Sequence, residues 1–195
     1  MTSLSASEII TRSHGLLAAG QDAENLALLE EAVRSFPADA EIRIMLASAL
    51  LRARPSEARE QIAEAIALDV DDARRVTRAA TMLFDLGEID AARQYVAHAM
   101  RILPPNDAIL EVELTVLGGE IAAVLGEDEV AEEAFRAAVE GFPEVEHFWV
   151  TLAEFLVVKA RIEEARSVLG AGLIQASGTE KLEHLMRSLG GPLHE

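Results

Sequence analysis

A helix-breaking position recurs along this sequence at nearly constant spacing. The five positions are Gly20, Ala53, Gly87, Gly126 and Ala160, which are separated by 33, 34, 39 and 34 residues. Each is followed by a stretch in which small and apolar residues recur at helical spacing, which predicts a helix with one close-packed face. A period of this length indicates a repeat protein, because a short helix pair buries its apolar stripe only against its neighbours.

The second helix of four units carries its small and apolar residues in one register. A small residue where two helices cross lets their axes approach to about 8–10 Å, and a larger residue one turn later fills the remaining space. The residues in this register are Ala58, Ile62 and Ala65; Ala92, Val96 and Ala99; Ala131, Phe135 and Ala138; and Ala165, Leu169 and Gly172. Helix-stopping prolines follow some of these helices, at Pro37, Pro104 and Pro143.

This pattern resembles the tetratricopeptide repeat (TPR) family, whose unit of about 34 residues is a helix-turn-helix with small residues at the crossing. The resemblance covers about residues 6–177, and it is best in the units that contain residues 87–104, 126–143 and 149–165. The first unit departs from the family pattern. Asn25 stands where an alanine is usual, and Arg12 and Ser13 replace an apolar–small pair.

The resemblance implies an all-α fold, an α-solenoid wound as a right-handed superhelix. About five TPR-like helix-turn-helix repeats would be followed by a C-terminal capping helix, and we expect residues 1–195 to form a single domain. The predicted repeats span residues 6–38, 39–71, 72–106, 107–144 and 145–178, and the predicted capping helix spans residues 179–189.

The predicted capping helix has an apolar stripe opposite a charged face. Leu182, Leu185, Met186 and Leu189 form the stripe, and Ser177 with Glu180 has the pattern of a capping box at its start. A solenoid needs a lid over its last exposed interface, so we interpret this helix as that lid. A dimerisation helix is the alternative. The stretch 190–192 is predicted to end the fold.

The fourth unit is five residues longer than the others and contains adjacent glycines. The extra length lies ahead of or within its first helix, near residues 107–111, and Gly118 and Gly119 occupy the interior of the same helix. An interior glycine costs about 1 kcal/mol relative to alanine, so a compensating role is expected. Close helix contact is the favoured explanation, and a bend that widens the groove is the alternative.

The composition argues against several classes of function. The chain has no cysteine and a net charge of −17, so a thiolate metal site is excluded and binding to a phosphate backbone is disfavoured. No apolar run approaches the length of a membrane helix, and the N-terminus lacks a secretory signal pattern, which favours the cytoplasm. The five histidines lie on separate segments without metal-ligand spacing. We therefore predict no cofactor, no metal and no catalytic site.

The predicted binding surface is the concave face of the solenoid. In the TPR family the first helix of each pair lines this face, and helical spacing then selects the candidate residues. They are His14, Ile44, Ser48, Leu51, Arg74, Thr77, Arg78, Thr81, Phe84, Glu113, Val116, Glu120, His147, Val150 and Glu154. Some of the apolar members are expected to pack only against the next helix.

Arg74 and Arg78 lie one turn apart on a first helix and have two possible roles. The resemblance implies that they match half of a clamp that holds a peptide's C-terminal carboxylate in some TPR domains. The other half is absent, since Ile10, His14 and Met45 stand where Lys and Asn are expected. The hypothesis is that both arginines hold a carboxylate of another partner, and the alternative is that they only pair with Asp69, Asp71 and Asp72.

These observations favour a non-catalytic protein–protein interaction module or adaptor. It would bind a peptide or a protein segment in the concave groove, as a monomer or a weak homodimer. A self-assembling structural or scaffold subunit, using the C-terminal cap or the edge repeats, is the alternative.

Overall fold

The computed structural model describes residues 4–190, so the predicted stop at residues 190–192 lies mostly outside the described residues. That part of the chain contains eleven α-helices and no β-strand. The chain divides into two compact units, Met1–Asp107 and Ala108–Glu195, called unit 1 and unit 2 below.

Unit 1 consists of three helical hairpins. Its helices are α1 (Ala6–Ala18), α2 (Asp22–Ser35), α3 (Ala40–Leu50), α4 (Pro55–Leu68), α5 (Ala73–Asp85) and α6 (Ile89–Ile102). The two helices of each hairpin pack together, and α2 contacts α3, α4 contacts α5, and α3 contacts α5. Neighbouring hairpins therefore lie side by side, as in an α-solenoid.

Unit 2 consists of two hairpins and a final helix. Its helices are α7 (Ala108–Leu125), α8 (Asp128–Gly141), α9 (Glu146–Val158), α10 (Ile162–Gln175) and α11 (Glu180–Ser188). The extra residues of the fourth repeat lie within α7, which has 18 residues where α5 and α9 have 13. The prediction of an α-solenoid of hairpin repeats with a C-terminal capping helix is thus confirmed. Each predicted repeat range contains one hairpin.

Local chemistry fixes several of the helix starts. Asp39 and Asp72 accept a hydrogen bond from the third residue of α3 and α5, and Pro55 occupies the first turn of α4. Ser5 and Glu8 form a capping box, in which the Glu8 carboxylate accepts from the Ser5 N–H at 2.8 Å. This hydrogen bond lowers the pKa of Glu8.

Four of the five hairpins share one turn conformation. Gly20, Gly87 and Gly126 have φ of 67°, 75° and 78°, and Ala160 adopts the same left-handed region with φ of 59°. Glycine is favoured there because a Cβ atom is strained at positive φ. The α3–α4 turn at Ala53 is different, which explains why the second repeat needs no glycine.

The small residues predicted at the helix crossings are buried. All twelve residues of the predicted register are buried, in both units. Gly119 has the closest contact: a Cβ atom built there would lie 2.9 Å from Ala134 Cβ and 2.9 Å from Phe135 Cε1. Close helix contact, rather than a bend, therefore explains this glycine.

Replacing Gly119 by alanine is expected to destabilise unit 2 by about 1–2 kcal/mol, because the overlap with α8 outweighs the better helix propensity of alanine. Gly170→Ala in α10 is the control: no atom lies within 4 Å of a Cβ built there, so it should stabilise by about 0.5–1 kcal/mol. Denaturant unfolding followed by the fluorescence of Trp149, the single tryptophan, measures both. Equal effects from the two substitutions would contradict the explanation.

The C-terminal helix α11 is attached at both ends by charged side chains. At its start, Glu146 Oε1 of α9 accepts hydrogen bonds from the backbone N–H groups of Lys181 and Leu182, at 2.7 and 3.4 Å. At its end, Arg166 of α10 donates to the carbonyl oxygen of Leu189, at 3.1 Å from Nε. Leu182 and Met186 are buried against α9 and α10, so α11 covers the last hairpin.

The predicted capping box at the start of α11 is wrong. The residue before the helix is Thr179, and no side chain within α11's own segment caps it. The Thr179 hydroxyl donates instead to Glu183 Oε1 at 2.9 Å. Glu146 from α9 takes over the capping role, because its carboxylate reaches the unpaired N–H groups of the first turn.

An ion-pair network joins the two hairpins of unit 2. Glu132 of α8 accepts from Arg161, at 2.5 and 3.0 Å, and from Arg136, at 2.6 and 3.0 Å. These hydrogen bonds, Arg161 first, lower the pKa of Glu132 to about 2. The pKa of Arg161 is raised in turn by its hydrogen bonds to Glu164 and to Glu132.

Acid is expected to weaken unit 2 through Glu132. Its pKa is lower in the folded chain than the value of about 4.3 expected when unfolded, so its contribution is present above about pH 5 and is lost towards pH 2. Solvent screening limits the contribution to about 1 kcal/mol, because Arg136 and Arg161 are partly exposed.

The measurement is the free energy of unfolding of unit 2 between about pH 2 and about pH 7, a range that brackets the titration. Glu132→Gln should flatten this pH dependence, whereas Glu133→Gln, an exposed neighbour on the same helix, should leave it unchanged. A pH profile of Glu132→Gln identical to that of the wild type would contradict the assignment.

Candidate functional site

Four predicted binding residues of unit 1 surround one cavity. The unit-1 cavity has a volume of about 390 Å³, and His14, Ser48, Leu51 and Arg78 are among its lining residues. They come from α1, from α3 with the turn that follows it, and from α5. The other lining residues are Ser13, Leu17, Asp22, Asn25, Met45, Ala49, Arg52 and Ala53.

The base of this cavity holds a buried polar pair where the repeat pattern departs from the family. Ser13 and Asn25 are 0% and 1% exposed, and the Ser13 hydroxyl donates to Asn25 Oδ1 at 2.6 Å. The two residues therefore compensate each other: a hydrogen bond between α1 and α2 replaces the apolar crossing of the other hairpins.

The remaining predicted residues of unit 1 divide by exposure. Ile44 and Thr77 are 0% and 6% exposed, so they are removed from the candidate surface. Ile44 is part of the core, and the Thr77 hydroxyl donates to the Ala73 carbonyl oxygen at 2.8 Å. Thr81 is exposed and Phe84 is half-buried, and both lie on α5 outside the cavity.

The acidic partners of the two candidate arginines differ from those predicted. Arg74 pairs with Asp107 at 2.6 Å, and Arg78 pairs with Glu41. Each arginine thus contacts an acid from an adjacent repeat range. Both arginines remain partly exposed, with 63% and 43% of the side chain accessible.

Two of the acids predicted to pair with Arg74 and Arg78 pair with Arg75 instead. Asp69 and Asp72 pair with Arg75, at 2.6 and 3.2 Å, and the hydrogen bond from Arg75 lowers the pKa of Asp69. Arg75 has only 12% of its side chain exposed, which makes it a structural residue.

In unit 2, two predicted residues line a groove between α9 and α11. This α9–α11 groove has a volume of about 460 Å³, with Val150 and Glu154 on one side. The residues that α11 contributes are Glu180, Lys181, His184, Leu185 and Arg187. Since α11 packs on α9 and α10, it extends the inner face by one more helix.

The other predicted residues of unit 2 lie outside this groove. Val116 is 4% exposed and packs in the hydrophobic core of the unit, so it is also removed from the candidate surface. Glu113 and His147 are exposed, and Glu120 is half-buried.

Sequence reasoning missed several residues of both sites. Arg52 follows the end of α3, where helical spacing no longer predicts direction. Lys181 and His184 were missed because α11 was interpreted as a lid, with a dimerisation helix as the alternative, and not as part of the concave face. Asn25 did carry a signal, since it replaces the usual alanine.

Residues 4–190 contain neither a metal cluster nor a membrane-spanning helix. No group of three His, Asp or Glu side chains in that range has the arrangement of a metal site. Nor does any helix there combine the length and the apolar character needed to cross a bilayer.

Solved structures show which fold this is. The chain superposes on TTC0263, a thermophilic TPR protein of Thermus thermophilus, with a TM-score of 0.76 and 21% identity, covering 95% of this chain and 98% of that one. PilF of Pseudomonas aeruginosa superposes with a TM-score of 0.72 and 18% identity, covering 93% of this chain and 81% of PilF. PilW, a type IV pilus biogenesis factor, superposes with a TM-score of 0.75 and 13% identity, covering 96% of this chain and 94% of PilW.

The likeness confirms the TPR-like fold that the repeat pattern predicted. No protein-family model matches the sequence, and no curated protein matches it significantly.

The Ser13–Asn25 pair leads to a prediction about stability. Ser13→Ala or Asn25→Ala alone leaves a buried polar group without its partner and should cost about 1–3 kcal/mol. The double substitution to alanine restores the usual apolar crossing and should cost less than the sum of the two. Denaturant unfolding followed by circular dichroism measures the coupling, and strictly additive effects would contradict it.

Proposed function

We propose that this protein is a non-catalytic interaction module that binds a peptide or a protein segment on the inner faces of its helical hairpins. The observation that carries the proposal is the unit-1 cavity, which gathers His14, Ser48, Leu51 and Arg78 from three different helical segments. A concave site with apolar walls and a few polar groups is the usual form of a binding site.

The charges of the two sites favour a partner with mixed chemistry. Arg52 and Arg78 line the unit-1 cavity, whereas Glu154 and Glu180 line the α9–α11 groove beside Lys181. The whole chain is strongly acidic, which disfavours nucleic acid and membrane surfaces rich in phosphate. A polypeptide that presents apolar and charged side chains fits both surfaces.

The arrangement of the histidines supports a binding role over catalysis. His14, His147 and His184 lie on three different helices, and His98 is engaged with the Val70 carbonyl oxygen at 2.9 Å and with Arg101 at 3.0 Å. A general base needs a nucleophile and an orienting group within hydrogen-bond reach. The neighbours of His98 provide neither.

The self-assembling scaffold is less well supported. It was predicted to use the C-terminal cap, but Leu182 and Met186 of α11 are buried within unit 2. The cap therefore presents its polar face. We propose that the protein is a monomer or a weak homodimer. We also propose that it acts in the cytoplasm, because a chain without cysteine does not depend on disulfide bonds, which that reducing compartment disfavours.

The test is capture of the partner from an extract of the native cell, followed by competition with variants. Arg74→Ala with Arg78→Ala should weaken binding about tenfold, which corresponds to about 1.4 kcal/mol, because we propose that both side chains belong to the binding surface. Phe84→Glu should weaken it as well. Folding should be preserved, since the ion pairs lost are partly exposed.

The control is Arg34→Ala with Arg101→Ala, which removes the same charge from second helices of unit 1. If the inner-face variants and the control compete equally well, the concave surface is not the binding site. Sedimentation of the purified chain distinguishes self-assembly, which would appear as concentration-dependent growth.

A further inference from the structure

Four exposed aliphatic side chains gather at the turn end of the hairpins in unit 2. An ion pair at 2.5 Å between Asp128 and Lys159 joins the α7–α8 turn to the α9–α10 turn, so the two turns lie side by side. The four residues, called the turn patch below, are Val124, Leu125, Val130 and Val158, with exposures of 59%, 41%, 55% and 79%. Single exposed apolar residues are ordinary in a folded protein, whereas a group of them marks a contact surface.

The packing of a hairpin does not require the turn patch. Val124 and Val158 occupy the same place in their hairpins, two residues before the left-handed residue of the turn. The equivalent residues at the glycine turns of unit 1 are Ala18 and Asp85, which are also exposed. Because this position accepts a small or a charged residue, the two exposed valines of unit 2 have no structural explanation within the repeat.

The surface beside the turn patch is acidic. The α7–α8 hairpin, residues 108–141, contains nine acidic residues and one basic residue, which gives it a net charge of −8. The cations at this end of unit 2 are engaged by as many acids: Arg136, Arg161 and Lys159 pair with Glu132, Glu164 and Asp128. These ion pairs cancel, so the acids that remain give the surface its charge.

Three of the remaining acids form a stripe along α8. Glu129, Glu133 and Glu140 lie four and seven residues apart, which places them on one face of the helix, and they line a groove of about 550 Å³. No cation within residues 4–190 pairs with any of them. Val130 directly follows Glu129 and precedes Glu133 by one turn, so the stripe continues from the turn patch.

We propose that the turn patch and the acidic stripe together dock a basic amphipathic helix of a partner protein. The aliphatic residues of that helix cover the turn patch, and its lysine or arginine side chains pair with the stripe. Since α8 is the second helix of its hairpin, this surface lies outside the predicted concave set. The proposal takes from the proposed function only that this protein binds polypeptides.

The spacing of the three acids favours a helix as the occupant. They are about 6 and about 10 Å apart along α8, at about 1.5 Å per residue. A helix laid parallel to α8 repeats these distances with residues of the same spacing, so all its cations face the stripe. An extended segment turns alternate side chains away and rises about 3.3 Å per residue, so it would present only two of three cations on one side.

The charge of the chain argues against a second copy of itself as the occupant. Each copy carries a net charge of −17, and the turn patch of a second copy would bring another acidic hairpin against the first. Like charges repel, so self-association through this surface costs electrostatic free energy. A basic helix covers the same aliphatic side chains and gains from the charge.

The probe is the peptide acetyl-Leu-Ala-Ala-Leu-Leu-Lys-Ala-Ala-Ala-Lys-Ala-Ala-Ala-Ala-Ala-Ala-Lys-amide, in which the lysines have the spacing of the acids. It is titrated into the full chain at low ionic strength by isothermal titration calorimetry. The analogue with glutamate in place of each lysine should not bind, and the analogue with alanine in place of each leucine should bind about tenfold more weakly. Added salt should weaken binding of the lysine peptide, because it screens surface charges.

Substitution of the acids tests the stripe. Glu129→Gln with Glu133→Gln should weaken binding of the lysine peptide about fivefold, because two exposed ion pairs are lost. The matched control is Glu24→Gln with Glu60→Gln, which removes the same charge from exposed positions on second helices of unit 1. The control should bind the peptide as the wild type does.

Substitution of the valines tests the turn patch. Val124→Ser with Val130→Ser should weaken binding about tenfold, because less apolar surface is covered. Leu68→Ser, which removes an aliphatic side chain with 44% exposure from α4 of unit 1, is the matched control and should leave the affinity unchanged. All variants should keep the helical circular dichroism spectrum, since the side chains they replace are exposed.

Three results would overturn this docking surface. They are no binding of the lysine peptide at millimolar concentration, equal effects of the unit-2 variants and their controls, or a dimer in sedimentation that Val124→Ser with Val130→Ser abolishes, which would assign the patch to a second copy. The competition experiment with Arg74 and Arg78 tests the inner face separately. If those variants lose the captured partner while the lysine peptide fails to bind, the proposed function stands and this docking surface does not.

Discussion

The close approach of two helices at a small residue is the contact on which four of the five hairpins depend. Where the crossing holds alanine or glycine, the backbones come near enough for a single larger residue, such as Phe135, to fill the space beside it. Gly172 shows how tight this contact is, since a Cβ atom there would lie 2.9 Å from Trp149 Cγ and 3.1 Å from Leu182 Cδ1. The position therefore serves both the hairpin and the helix that covers it.

The first hairpin solves the same packing problem with polar atoms. A hydrogen bond between Ser13 and Asn25 holds α1 against α2, where the other hairpins rely on apolar contact. Both residues also line the unit-1 cavity, so these two departures from the repeat pattern affect the stability of the hairpin and the chemistry of the surface. A departure from a repeat pattern can thus indicate a site.

Much of the fold could be predicted from the sequence, because its signals are local. Glycine at a left-handed turn, aspartate before a helix and proline in a first turn act within a few residues. Each of the five predicted repeat ranges accordingly contains one hairpin. The capping box predicted for α11 was wrong, because the carboxylate that caps this helix belongs to Glu146, 35 residues before Lys181.

The site was harder to predict, because its contacts join residues that are far apart in the sequence. The partners of Arg74 and Arg78 lie 33 and 37 residues away, in adjacent repeat ranges, whereas the prediction selected acids close in sequence. Helical spacing also cannot distinguish a side chain on the concave surface from one that packs under the next helix. For this reason the predicted set included Ile44, Thr77 and Val116, which are buried. Arg52 lies beyond the end of α3, so helical spacing could not predict the direction of its side chain.

The charges that attach α11 have a consequence for its direction. The peptide dipoles of a helix place partial positive charge at its beginning and partial negative charge at its end. Glu146 meets the first and Arg166 meets the second. The same nine-residue segment laid down in reverse would set a carboxylate against carbonyl oxygens and a guanidinium against N–H groups. Its apolar stripe alone would tolerate either polarity, so two side chains from neighbouring helices select one.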